Sequence, residues 1–143
     1  QGIAASLLAT LRPDELLLIS RRDSRMHNSW YMNLPGMKRG DRDENRLAMH
    51  PADAAQRGLS DRERVVVSSE WGSIEVAIEL DENIRVGVVS LEHGWGPQRG
   101  MRLALAKPGV NVNVLMPTGT DSFEALSNQQ RLTGVPVTVA RAS

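Results

Sequence analysis

The chain has 143 residues, 41% of them hydrophobic, which suits one ordinary domain with a single buried core. Its 17 Lys and Arg balance 17 Asp and Glu, leaving none of the positive excess that non-specific binding to nucleic acid or a membrane surface needs. It has no cysteine, so disulfides, zinc–thiolate sites, iron–sulfur ligation and a cysteine nucleophile are excluded within these residues.

No apolar run approaches the roughly 18 residues of a membrane span. Gln1-Gly2-Ile3-Ala4-Ala5 lacks both an initiator Met and the charged-then-apolar order of a secretory signal, the pattern expected of an excised fragment. Ile3 to Leu11 has helix-compatible apolar spacing that Pro13-Asp14 breaks, so residues 1–14 are expected to be a linker or short helix, and 15–143 the domain. Glu15 to Ile19 is a continuous apolar run bounded by charge, a predicted buried strand. Arg21 to Asn45 is a long polar loop, and loops of that length inside a compact domain are usually functional.

Arg46 to His50 returns to a strand. Pro51 to Gly58 then has Pro at its start, Asp53 in the first turn and Gly58 just past the end, predicting a two-turn helix. Val65 to Ser69 is strand-like. Beyond a turn at Trp71-Gly72-Ser73, apolar Ile74, Val76, Ile78 and Leu80 alternate with Glu75, Ala77 and Glu79, so the two strands form a hairpin. Arg85 to Ser90 is a further predicted strand, followed by the glycine-flanked loop His93-Gly94-Trp95-Gly96. Pro108 to Thr133 reads as irregular, and Val135 to Ala140 as the last strand. Many short strands with one clear helix and two long loops argue for a closed or nearly closed barrel.

Three constellations could carry chemistry. Ser20 to Trp30 brings Arg21, Arg22 and Arg25, whose guanidinium forks suit phosphate oxygens, together with Asn28 and Ser29, which suit the edge of a heterocycle. The same residues are also compatible with a solvated loop around a core Trp. In His93 to Gly96, the glycines allow close approach to a ligand, or Trp95 plugs one end of the barrel. In Gly109 to Leu115, Asn111 and Asn113 alternate with valines, which is unusual in a strand, and need partners in turn backbone or a bound ring. His27, His50 and His93 lack metal-ligand spacing, and no phosphate loop, dinucleotide fingerprint or nucleophile elbow is present. Glu75 and Glu79 read as solvated carboxylates, and the scattered methionines as fillers.

Taken in order, LLLISRRDSRMHNSWYMNLPGMKRGDR, the segment from LAMHPADAAQRGL through VSLEHGWG, and GVNVNVLMPTG onward resemble the C-terminal domain of the dimethyl-sulfoxide-reductase family of molybdopterin oxidoreductases, from Leu16 to near the end. The resemblance implies a mainly β fold, a six-stranded double-psi β-barrel of the aspartate-decarboxylase-like kind, with the Pro51–Gly58 helix inside one psi unit. It implies molybdopterin guanine dinucleotide as cofactor, with molybdenum or tungsten held by that cofactor and not by this domain. Carried over position by position, Ser20, Arg21, Arg22 and Arg25 line the cofactor's polar groups. His27, Asn28, Ser29 and Trp30 lie along the pterin side, Asn113 on the last binding loop and His93 near the site.

Upstream domains of the same polypeptide would supply the metal ligand and substrate funnel, with no nucleic acid or membrane partner, no catalytic residue in this domain, and the cytoplasm as compartment. Two departures from the family pattern are Ser20, where many relatives have Gly, and Arg62, in a turn where relatives commonly carry Gly. The alternative readings are a ligand-free barrel serving as an adaptor, and self-cleavage at Gly72-Ser73.

Overall fold

The computed structural model describes residues 11–38, 40, 43–97, 99–123 and 126–143. Apart from Leu11, the helix expected over the first residues lies outside that range. Six strands close into a barrel: β1 (Glu15–Arg21), β2 (Leu47–Met49), β3 (Arg64–Ser68), β4 (Ser73–Leu80), β5 (Val88–Glu92) and β6 (Val135–Arg141). Around the barrel the order is β1-β5-β2-β4-β3-β6. The β1–β5 and β2–β4 pairs are parallel and the other four antiparallel.

Closure explains the apolar run of β1. Leu16 and Leu18 point into the main core with Leu47, Val65, Val67, Ile78, Val89 and Leu91, while Leu17 is buried on the opposite face. The predicted helix is α1 (Pro51–Gln56), with the His50 ring nitrogen Nδ1 accepting the Ala52 N–H at 3.0 Å and Gly58 in the left-handed region at φ +63°. The β3–β4 hairpin turns as expected, closed by the Ser69 N–H bonded to Gly72 O and the Ser69 hydroxyl accepting the Trp71 and Gly72 N–H groups. Gly72 serves close packing here: a Cβ on it would lie 2.6 Å from the Val114 carbonyl oxygen. Arg62 adopts φ +64°, the left-handed turn the sequence made uncomfortable.

Three expectations are corrected. β5 begins at Val88, not Arg85, because residues 81–87 are held in turns by carboxylates: that of Asp81 accepts the Asn83 N–H at 2.9 Å, and Gly87, at φ +84°, donates its N–H to buried Asp53 in α1. A second helix, α2 (Arg102–Ala106), went unpredicted because its cap is remote, the Asn33 side-chain oxygen accepting the Leu103 N–H at 2.9 Å from 70 residues away. Trp95 does not plug the barrel. Val112, Leu115 and Met116 fill that end of the core, and Trp95 joins a satellite cluster with Met26, Met32 and Ala104.

Candidate ligand cleft at the shared end of β1 and β5

Parallel pairing positions the site. Ser20 stands opposite Leu91 and Arg21 opposite Glu92, and the His93 N–H continues the ladder to the Arg21 carbonyl at 3.1 Å. The segments leaving these strands therefore emerge side by side, although more than 60 residues separate them in sequence. Between them opens a cleft of about 460 Å³ lined by Ser20, Arg22, Asn28, Ser29, His93, Gly94, Trp95, Gly96, Pro97, Asn111, Asn113, Met116 and Leu132.

Its walls are thinned by glycine. At Gly94, with φ +92°, a Cβ would lie 1.8 Å from the Asn28 carbonyl oxygen, so only glycine lets the two segments touch. Facing it, His27 and Asn28 both take positive φ, of 42° and 62°, a conformation Asn tolerates better than most residues. At the other wall, Gly96 donates its N–H to Pro108 O at 2.8 Å and lies against Asn111. Asn111 has the turn role, its side-chain oxygen accepting the Asn113 N–H at 3.0 Å to cap the 3-10 turn Val112–Leu115. That turn sets Asn113 on the cleft wall.

The Asn28 side-chain oxygen meets the Arg22 guanidinium at 3.4 Å and His93 Nε2 at 3.0 Å. An amide oxygen only accepts, so the hydrogen sits on Nε2 and leaves Nδ1 as an acceptor when the ring is neutral. Burial first, and the Arg22 charge second, hold the His93 pKa below the ordinary imidazole value. The Trp95 indole N–H is buried without a hydrogen-bond partner among the described residues, in a residue that borders the cleft.

Of the predicted residues, Ser20, Arg22, Asn28, Ser29, His93 and Asn113 converge here. Arg21 faces a second cavity of about 430 Å³ behind Trp95, where its guanidinium pairs with Glu92 at 3.2 Å. Arg25 bonds Asp23, and His27 stacks on Tyr31 with ring centroids 5.6 Å apart. Trp30 is 77% exposed and does not line the cleft. Among the described residues no group of three or more His, Asp or Glu is placed to hold a metal ion. Glu75 pairs with Arg64 at 3.2 Å while remaining largely solvated.

Two structural residues escaped the sequence reading. Lys38 is 5% exposed, bonds the Lys107 carbonyl and lies 5.0 Å above the Trp95 ring centroid, and burial together with the Lys107 charge lowers its pKa. Asn45, 2% exposed, bonds Glu92 and Val110. No local pattern marks either, because every partner is distant in sequence.

A closed barrel that delivers a guanidinium, amides and a neutral imidazole to one glycine-thinned cleft is a binding domain for an extended polar ligand. Residues 16–131 match the sequence profile of the family described as "Molydopterin dinucleotide binding domain", and the chain belongs to that family of molybdopterin dinucleotide-binding domains. ArrA of Chrysiogenes arsenatis, the molybdopterin-containing component of an arsenate respiratory reductase, is 31% identical over 126 residues, covering 81% of this chain and 15% of that protein. A Halobacterium salinarum protein assigned as the catalytic component of a dimethyl sulfoxide reductase is 37% identical over 71 residues, 50% of this chain and 8% of that one. In structure, acetylene hydratase from Pelobacter acetylenicus shares the fold with a TM-score of 0.71 at 20% identity, over 89% of this chain and 18% of that chain. The chain thus spans less than one fifth of each of these relatives, in which the matching region is one part of a much larger polypeptide.

Proposed function

We propose that the cleft between β1 and β5 is the cofactor site, that the dinucleotide is the guanine form, and that this domain caps it within a larger redox enzyme. The observation that carries the reading is the meeting of Arg22, Asn28, His93 and Asn113 across the Gly94–Asn28 contact. The donor set fits such a ligand. Arg22 would take diphosphate oxygens, Asn28, Ser29 and Asn113 would read heterocycle edges, and neutral His93 would offer an acceptor. When bound, the cofactor supplies the redox chemistry through the metal it carries, and this chain's residues bind and orient it. Two parallel strand pairs in a closed six-stranded order support the finer double-psi description.

Upstream domains of one polypeptide are the proposed partners, supported by the small fraction of each relative that the chain covers. Titrating isotope-labelled chain with released molybdopterin guanine dinucleotide, and separately with guanosine diphosphate, tests the site. Saturable amide shifts at Ser20–Ser29, His93–Gly96 and Asn113 are expected. Shifts confined to another face, or affinity unchanged in a folded Arg22→Ala/Asn113→Ala variant, would overturn the assignment. Arg21→Ala, tested separately, shows whether the second cavity contributes.

A further inference from the structure

Apart from Ser20 and Leu132, the cleft is lined by three segments that have no backbone ladder in common beyond the ends of β1 and β5: residues 22–29, 93–97 and 111–116. One buried side chain bridges the residues that immediately precede the last two. Asn45 lies near the end of the long loop between β1 and β2, is 2% exposed, and does not line the cleft. Its Nδ2 donates to Glu92 O and to Val110 O, each at 3.0 Å, and its Oδ1 accepts the Val110 N–H at 2.9 Å.

The amide therefore satisfies both the N–H and the C=O of Val110, as a neighbouring strand would, and reaches the last residue of β5 as well. Glu92 precedes His93, and Val110 precedes Asn111, whose side chain caps the turn carrying Asn113. The approach is made possible by Gly109 at φ +56°, where a Cβ would lie 2.6 Å from Asn45 Oδ1 and 2.6 Å from the Trp95 ring. Two polar backbone groups of Val110 and one of Glu92 depend on this side chain, and buried backbone groups left unpaired are costly.

We infer that Asn45 is the positioning residue of the ligand cleft, holding His93 and Asn113 at their working separation without touching the ligand. This rests on the cleft being the nucleotide site. Chemistry dictates the residue type: Asp, of nearly the same shape, cannot donate and would set a carboxylate against two carbonyl oxygens, and Leu fills the space with no polar atom.

The test compares Asn45→Asp and Asn45→Leu with Val67→Ala, which removes apolar bulk from a fully buried position of β3 that does not line the cleft. Backbone amide shifts are recorded for the 143-residue chain, ligand-free and during titration with guanosine diphosphate, and denaturant unfolding is followed for all variants. In the ligand-free Asn45 variants, shifts concentrated at His93–Gly96 and Asn111–Asn113 are expected, with at least tenfold weaker nucleotide binding. Val67→Ala is expected to lose stability while binding within twofold of the parent chain, a separation that a purely structural Asn45 would not produce.

Folded Asn45 variants with parental shifts at those residues, or with parental affinity, overturn the proposal. So does an equal affinity loss in Val67→Ala, and so does unfolding of both Asn45 variants, since a framework role then suffices. If the parent chain shows no response to guanosine diphosphate, it is the nucleotide reading that fails. The ligand-free shifts then still decide whether Asn45 positions His93 and Asn113.

Discussion

The barrel and the loop cap at its end are held by different forces. Among the described residues, eighteen buried side chains from all six strands, α1, Leu59 beyond it and residues 112–116 form the main core, whereas the cap's own apolar cluster is Met26, Met32, Trp95 and Ala104. The cap relies instead on polar connections: Asn45 to Val110 and Glu92, Asn33 to Leu103, Lys38 to the Lys107 carbonyl and Gly96 to Pro108. Apolar burial is non-directional and cooperative, while each polar connection is worth about 1 kcal/mol net and depends on geometry. The barrel should therefore unfold as one unit, and the cap should open locally at lower free energy. Rigid frame and adaptable ligand loops are thus built from separate parts of one chain.

The largest effect should come from the barrel. Ile78→Ala, at a position with no solvent exposure, is expected to cost about 2–5 kcal/mol. Chemical denaturation followed by far-UV circular dichroism and by the backbone amide resonances of β1, β3 and β6 should show one coincident transition. Separate transitions for the two probes would mean that the barrel is not the single cooperative unit described.

Gly94→Ala should separate the two regions most cleanly. Its Cβ would lie 1.8 Å from a backbone oxygen at φ +92°, so the cap must rearrange, at a cost of about 1–3 kcal/mol for strained backbone. Nucleotide binding should be lost and hydrogen exchange should quicken at residues 26–32 and 93–97, with β3 and β4 still protected. Full protection throughout the cap would contradict the close contact.

Arg22→Gln should weaken guanosine diphosphate binding about tenfold or more, given the strength of charge-assisted bonds. In the ligand-free chain the same substitution should raise the His93 titration midpoint, read from ring proton shifts. The midpoint should nevertheless stay below the usual value of about 6.5, because burial is the larger cause of the depression. The sign for stability follows from that lowered value. As pH falls through about 6.5, the unfolded chain takes up the proton first, so His93 reduces stability on acidification, down to its folded midpoint.

The smallest effect should be Arg62→Gly. Relief of φ +64° competes with the greater freedom of glycine in the unfolded chain and with loss of exposed ion pairs to Asp61 and Glu79. A gain of up to about 1 kcal/mol in unfolding free energy is expected, with nucleotide affinity unchanged.

Locally encoded features could be read from the sequence. The apolar run of β1, the Pro51–Asp53–Gly58 punctuation of α1 and the period-two alternation of β4 all became elements near their expected bounds. Ser20, Arg22, Asn28, Ser29, His93 and Asn113 were identified through family resemblance, and the structure gathers them in one cleft. What could not be read depends on distant partners. The cap of α2 lies on Asn33, the bonding of Asn45 spans 47 and 65 residues, and the fate of Trp95 depends on Met26, Met32 and Ala104. Arg21 illustrates the same limit, since Arg22 borders both cavities while Arg21 borders the second alone, where it pairs with Glu92, 71 residues away in sequence.

The contact between Gly94 and the Asn28 carbonyl also has a comparative use. Any other amino acid at position 94 would place a carbon where that oxygen lies, so a family member with a side chain there must route its first loop along a different path. That one position would sort related chains by loop path from sequence alone, and would mark those to which the cleft described for this chain cannot be transferred.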